Sequence, residues 1–238
     1  SLYDPDVRSY NKSTKQLKKN DILVKNGILS SKTKHFYKSY FKFKNNDLPF
    51  VTAKLAVSND FFTINKKNKW ITNNFSRARA HLLRSQHDCI ITSSKTVIAD
   101  NPILSCRIKG LENTSPARAI IDKKLQIMNT SKIIESAKKF TTIIFYGEDN
   151  FKKIKYFKKK GAILIKIPLN NKANFDLSNI LKKLKFLGFS RILLESGIDL
   201  ITNFLSKDLI DEFQLFKSNK DLKKRGLNNF KRTFKNFL

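Results

Sequence analysis

The sequence predicts an α/β fold with a mostly parallel central sheet flanked by helices. Three observations carry this reading. Short runs of Val, Ile, Leu and Phe recur from Pro49 onward, the stretches between them keep apolar residues at helical spacing, and the two kinds of segment alternate regularly. Near-continuous apolar strands belong to a sheet covered on both faces, and amphipathic helices between them make the connections parallel.

The elements follow in chain order. Residues 1–48 are polar and read as an appendage, with one short strand in "DILVKNGILS" (Asp21–Ser30) and one aromatic-sided helix in "SKTKHFYKSYFKFKNND" (Ser31–Asp47). "PFVTAKLAVS", starting at Pro49, is a strand of β-branched and apolar residues. "NFSRARAHLLRSQ" is an amphipathic helix: Phe75, Ala78, Leu82 and Leu83 form one stripe, and Arg77, His81 and Arg84 share another face. "CIIT", "ILSCRI" (Ile103–Ile108) and "RAIID" (Arg118–Asp122) are strands. "TTIIFYG" is a strand, and Glu148–Lys160 is a helix whose Phe151, Ile154 and Phe157 face inward while its lysines face solvent. "AILIKIP" is a strand, "DLSNILKKLKFLG" a helix stopped by Gly188, "RILLES" a strand, Ile198–Leu205 a helix and "DEFQLFK" (Asp211–Lys217) a strand.

The formal net charge is +29, a surplus that suits a polyanion partner. Of the 48 cations, however, only nine are Arg, and the lysines fall on every exposed face. No stacking-aromatic motif or helix-turn-helix pattern accompanies them, so nucleic acid is not expected as a specific partner. The two cysteines, Cys89 and Cys106, read as free thiols in a reducing cytoplasm. Three isolated histidines without a C-x-x-C leave no metal site to expect. No apolar run is long enough for a membrane helix. The chain opens on Ser1 and its one Met is Met128, so it reads as a piece of a longer protein.

Several chemistry-bearing residues fall at strand ends, where parallel sheets hold ligands. Lys54 and Ser58–Asp60 lie on or after the first strand, "TSSKTVIADNP" (Thr92–Pro102) follows "CII", Arg107 closes "ILSCR", and "ESG" (Glu195–Gly197) opens a helix. A hydroxyl-rich turn and a glycine at a helix start suit a phosphorylated ligand, because free backbone N–H groups favour an anion there.

These stretches, in this order, resemble the reductase domain of the bacterial bifunctional riboflavin-biosynthesis deaminase–reductase. "PFVTAKLAVSNDFFT" is similar to that family's P-[FY]-V-T-x-K-x-A-x-S-x-D-G opening. "WIT" with "LLRSQHDCII", then "TSSKTVIADNPILSCR", then "RILLESGIDLITNFLSKDLIDEF", resemble its later motifs in register. Residues 1–48 look like the stretch that follows the family's deaminase core. The H-x-E and P-C-x-x-C of the deaminase do not occur, so deaminase activity is not expected. The organisation implied is a remnant or linker over 1–48 and a reductase domain over 49–238.

The resemblance implies a dihydrofolate-reductase-like three-layer fold, a homodimer, no metal, and NADPH-dependent reduction of 5-amino-6-(5-phosphoribosylamino)uracil to its ribitylamino counterpart. Carried over by position, Val57, Trp70, Thr96 and Asp100 would contact the cofactor, with the run Gly197, Ile198, Asp199, Leu200, Ile201, Thr202 and Asn203 at its pyrophosphate side. Asn68, Arg84, Leu104, Arg107 and Glu195 would contact the substrate. Arg84 and Arg107 suit its phosphate through paired donors. Lys54 and Glu195 are the groups that would polarise or protonate the opened sugar.

The chain departs from the family pattern at several points. Phe61 stands where the family has the Gly of Asp-Gly, placing an aromatic near the nicotinamide approach. Ser196 replaces a Gly, Asn68 replaces a Ser, and the closing strands are not recognisable in "KSNKDLKKRG" and "LNNFKRTFKNFL". They read as truncated or divergent, which keeps a second reading open: a catalytically degraded basic domain that binds nucleic acid non-specifically.

Overall fold

The apolar runs after Pro49 pair edge to edge into one sheet. The computed structural model describes residues 2–68 and 70–233. Nine strands are present among them: β1 (Phe50–Val57), β2 (Phe62–Asn65), β3 (Cys89–Ser93), β4 (Ala117–Ile121), β5 (Thr142–Tyr146), β6 (Ile163–Lys166), β7 (Arg191–Glu195), β8 (Glu212–Lys217) and β9 (Gly226–Asn229). Ten α-helices accompany them: α1 (Lys12–Lys19), α2 (Ser30–Phe36), α3 (Lys38–Asn45), α4 (Asn74–Ser85), α5 (Ser94–Asp100), α6 (Lys132–Glu135), α7 (Phe151–Lys159), α8 (Leu177–Phe186), α9 (Ile198–Leu205) and α10 (Phe230–Thr233). The main sheet runs β6-β5-β4-β3-β7-β1-β8, and every pairing in it is parallel. The chain thus builds outward from β3 to β6, then returns to insert β7 between β3 and β1.

Side-chain alternation divides the core in two. Val51, Ala53, Leu55, Ile91, Ile192 and Leu194 face one way, against Ile180, Leu181 and Leu184 of α8 and Ile201 and Phe204 of α9. Ile90, Ile120, Ile144 and Leu193 face the other, against Leu83 of α4, Val97 of α5, Ile133 and Ile134 of α6 and Phe157 of α7. Each such buried side chain contributes about 1.5–3 kcal/mol. The result is three layers, as expected. The second core contains no residue of β1 and takes only the partly buried Phe216 from β8. That end of the second face, carrying Lys54, is left for something other than helix packing.

Two side chains expected on buried stripes, Phe75 and Phe151, are exposed instead, at 86% and 79%, and four expectations about the elements need correction. Ile103–Ile108 is extended but joins no sheet, because Leu104 takes a left-handed φ of 60° that breaks the strand. Asp21–Ser30 forms no strand. The helix expected over Ser31–Asp47 is divided at Tyr37 into α2 and α3. The chain after Lys217 is not shapeless: β9 pairs antiparallel with β2, neither strand having been expected, while residues 234–238 lie outside the described residues.

The 2–48 segment is anchored at the strand-entry end of the sheet. The Lys42 ammonium donates to both oxygens of Asp211, at 2.7 and 2.6 Å, and Asp211 also accepts from the Val51 N–H at 2.8 Å. Lys38 pairs with Glu212 and lies over the Phe50 ring. Tyr40 and Lys44 reach back to Asp4 and Asp6 at 2.8 and 2.6 Å, tying the first residues to α3.

The turn after β1 shows how the loss of a glycine is absorbed. Phe61 holds φ 67°, a conformation costing a non-glycine about 1–2 kcal/mol. Its ring stacks on Phe230 at 6.3 Å, and the Lys217 and Lys231 ammonium groups lie 4.7 and 4.4 Å from its centre. The Asp60 carboxylate accepts from Ser58 Oγ at 2.6 Å and from the N–H groups of Leu222 and Lys223 at 2.9 and 2.7 Å. Burial pushes that carboxyl up, but these donors outweigh it and hold it at about 2. The aromatic therefore packs with the first core, on the face opposite Lys54.

Gly226 makes the β2–β9 ribbon possible, since a Cβ there would fall 2.2 Å from the Phe62 ring. Gly226→Ala is expected to cost about 1–3 kcal/mol by overpacking. Urea unfolding and limited proteolysis of the C-terminal segment check this, and an unchanged midpoint and digestion rate would show that the ribbon bears no load.

Candidate active site

The sheet register brings Lys54 beside Glu195. Lys54 is the fifth residue of β1 and Glu195 the last of β7, and the two are direct neighbours on the sheet. Both project from the second face, because Ala53 and Leu194 next to them face the first core. The ammonium lies 3.7 Å from Glu195 Oε1, with the Phe216 ring 5.7 Å away. From α4 above, Arg84 closes on the same carboxylate with two bonds, Nε to Oε2 and Nη2 to Oε1, both 2.9 Å. Its Nη1 donates to the Ser105 carbonyl at 3.0 Å.

The electrostatics of this triad are one-directional. Burial pushes the Glu195 carboxyl up, but the charges of Arg84 and Lys54 and the Arg84 hydrogen bonds outweigh it and hold it at about 2. Burial likewise pulls Arg84 down, and Glu195 more than compensates. Glu195 is thus a carboxylate at neutral pH, which of the two roles expected for the Lys54–Glu195 pair, polarising or protonating, suits it to the first. Arg84 is equally committed: its phosphate-binding fork is directed at Glu195.

A second cluster lies at the carboxyl edge of the sheet, where β3 runs into α5 and β7 into α9. The Thr96 hydroxyl lies 3.1 Å from both Ser93 Oγ and Ser196 Oγ, and it accepts from the Gly197 N–H at 3.3 Å. Gly197 precedes α9, which has no side-chain cap, so the first amides of that helix are open to an anion. A Cβ at Gly197 would meet nothing within 4 Å, so the approach is clear. Lys95 and Asp199 pair across this mouth at 3.0 Å. Asp100 lies one helical turn beyond Thr96 on α5 and is exposed.

The other expected residues fall in four groups. Arg107 is exposed beside His81. Asn68 and Trp70 lie on the β2–α4 connection, with Trp70 55% exposed beneath the Arg77 guanidinium and so not a core residue. Val57 and Leu104 are buried. The Val57 side chain belongs to the first core, on the face opposite Lys54, and its carbonyl accepts from Ser218 N–H at 2.8 Å. In α9 the run splits by helical period. The side chains of Ile198, Leu200 and Ile201 are buried in the first core, which leaves only their backbone to reach a ligand. Thr202 donates its hydroxyl to the Ile198 carbonyl, and Asn203 sits on the second turn.

Sequence reasoning read Thr92 only as part of the hydroxyl-rich turn and did not read Arg118 as part of the site. Thr92 faces the same side as Glu195 and its buried hydroxyl has no partner among the described residues. Arg118 is fully buried and donates to the carbonyls of Ile103, Ile133 and Phe140 and to the hydroxyls of Ser136 and Thr142. Burial lowers it to about 10, so it stays charged at neutral pH and braces the segment that carries Leu104 and Ser105. An arginine inside the apolar run "RAIID" was the available signal.

Among solved structures, the chain resembles Acinetobacter baumannii RibD, form 2, over 94% of its own length and 61% of that chain, with a TM-score of 0.78 and 25% identity. The fold puts the chain in the class of α/β domains built on a parallel central sheet. The RibD C-terminal domain pattern matches residues 49–219, and the chain belongs to that family. The riboflavin biosynthesis protein RibD of Aquifex aeolicus is 29% identical over 215 residues, covering 90% of this chain and 58% of that protein. The chain therefore spans about three-fifths of the length of such relatives. A protein of Buchnera aphidicola subsp. Acyrthosiphon pisum named 5-amino-6-(5-phosphoribosylamino)uracil reductase is 30% identical over 172 residues, covering 66% of this chain and 78% of that protein.

The depressed Glu195 pKa gives stability that is present above the ordinary carboxylate value of 4.5 and is lost as pH falls through about 2. Glu195→Gln is expected to cost on the order of 3 kcal/mol at pH 7, because it strands a buried cation. The gap to the parent should close between pH 5 and pH 2 in acid-titrated urea unfolding, within the ~1 kcal/mol such series resolve. A gap that is constant with pH would refute the ionised triad.

Proposed function

We propose that this domain reduces 5-amino-6-(5-phosphoribosylamino)uracil to 5-amino-6-(5-phosphoribitylamino)uracil with NADPH. The observation that carries the proposal is the Lys54–Glu195–Arg84 triad on the second sheet face, next to the Thr96–Ser196–Gly197 cradle. The residues fit a nicotinamide dinucleotide: an uncapped helix start for the pyrophosphate, hydroxyl groups beside it, and the unpartnered Thr92 hydroxyl on the substrate side.

When bound, NADPH supplies the hydride, which is delivered to C1′ of the opened ribosylamine. The chain's own residues do the rest. Reduction of the opened C1′=N bond takes up one hydride at carbon and one proton at nitrogen. Lys54 is the donor assigned to that proton, since Glu195 is ionised and serves to orient and hold the ammonium. Arg84, committed to Glu195, sets the geometry of the pair, and Arg107 offers its exposed guanidinium to the sugar phosphate. Holding the two reactants in register accounts for much of the rate. A lysine-rich surface without a base-stacking platform gives the nucleic-acid reading no observation of its own.

A turnover assay following loss of reduced nicotinamide, with the phosphoribosylamino substrate, tests the proposal. Lys54→Met is expected to lower kcat by roughly 100-fold or more with NADPH affinity retained. Thr96→Val and Asp100→Ala are each expected to weaken NADPH binding by about tenfold in fluorescence titration. No NADPH binding below millimolar by the parent domain would discard the assignment.

A further inference from the structure

His81 belongs to none of the roles above, yet it joins the two ends of the site. It lies one turn before Arg84 on α4, half-buried, with Nδ1 3.1 Å from the Ser105 carbonyl and Nε2 3.2 Å from Arg107 Nη2. A carbonyl only accepts, so Nδ1 must carry the proton to use that contact. Nε2 then keeps its lone pair for Arg107, which only donates. The opposite tautomer would point an N–H at a guanidinium and leave the Ser105 contact unmade. Nδ1 also lies 3.3 Å from the Arg107 N–H, which the Nδ1–H tautomer leaves as a close approach.

The same carbonyl of Ser105 accepts from Arg84, so the groups form one chain: Lys54, Glu195, Arg84, Ser105, His81, Arg107. We propose that neutral His81 is a positioning residue that holds the Arg107 guanidinium in place for the substrate's phosphate. This rests on the reductase reading for the identity of the substrate, but the contact itself does not. The charged groups acting on His81 are Arg84 on its own helix, Arg107 on the 103–108 segment and Glu195 on β7. Burial first, and then the two arginines, keep its pKa below the ordinary histidine value, with the Ser105 hydrogen bond and Glu195 opposing them. Protonation would place an N–H and a second positive charge against Arg107 and release it.

The test uses two readouts. In histidine C–H NMR titration of the whole chain, Arg107→Met should raise the His81 pKa, because it removes a nearby cation; no upward shift would overturn the assignment. The second readout is ribose 5-phosphate binding measured from pH 8 to pH 5.5 in the parent and in His81→Gln, whose amide can donate to Ser105 and accept from Arg107 without titrating. Taking the ratio of the two affinities cancels the ionisation of the phosphate itself. The parent should weaken relative to His81→Gln by about fivefold toward acid pH, while His81→Phe should weaken binding at every pH and leave NADPH affinity unchanged. A flat ratio, or NADPH affinity falling in parallel, would overturn the role. If both readouts hold while the phosphoribosylamino substrate is not turned over, the reductase reading fails alone.

Discussion

The Glu195 carboxylate is the constraint on which the site depends. It is placed by the register of β7 against β1, and two cations converge on it from different elements: Lys54 from the sheet and Arg84 from α4. A carboxylate with 16% side-chain exposure is stable only because those cations are there. Its ionisation in turn decides the chemistry. Held at about 2, it is the negative charge on which a lysine and an arginine converge across the second face of the sheet.

That arrangement follows from unequal packing of the two faces. The first face is covered from β1 to β5 by α8 and α9, whereas the second core stops short of β1. The polar residues there, Lys54 and Glu195, are largely buried and are held by one another and by Arg84 instead of by apolar packing. The irregular 103–108 segment lies against this region and is fastened from two sides, by Arg118 at the Ile103 carbonyl and by Arg84 and His81 at the Ser105 carbonyl. The left-handed Leu104 between those anchors is strain held in place by its surroundings.

The central strands were legible because they are apolar runs between strong breakers, and α8 because its leucines and isoleucine share one face. The 103–108 segment misled because "ILSCRI" has strand composition, and composition does not report that Leu104 turns left-handed. The β2–β9 ribbon was hidden for the opposite reason. "LNNF" has little strand character, and its pairing is decided by Phe61, Phe62 and the Asp60 carboxylate far away in the chain. For the site, Thr96, Lys54, Arg84 and Glu195 could be picked out as residue types, but which of them touch could not.

By itself, the sequence determined the layered α/β architecture, because hydrophobic period and turn residues are local properties of the chain. It also set the residue types available to the cleft, and the motifs that place the domain in its family. Only the tertiary structure decided that Glu195 is ionised and that Arg84 is committed to it. The same holds for the α9 side chains that turn into the core and for the link from Arg84 through Ser105 to His81 and Arg107. Those outcomes rest on contacts such as that of Arg84 with Glu195, 111 positions apart, and charge interactions at 3 Å are set by strand register and helix placement, which no local pattern encodes.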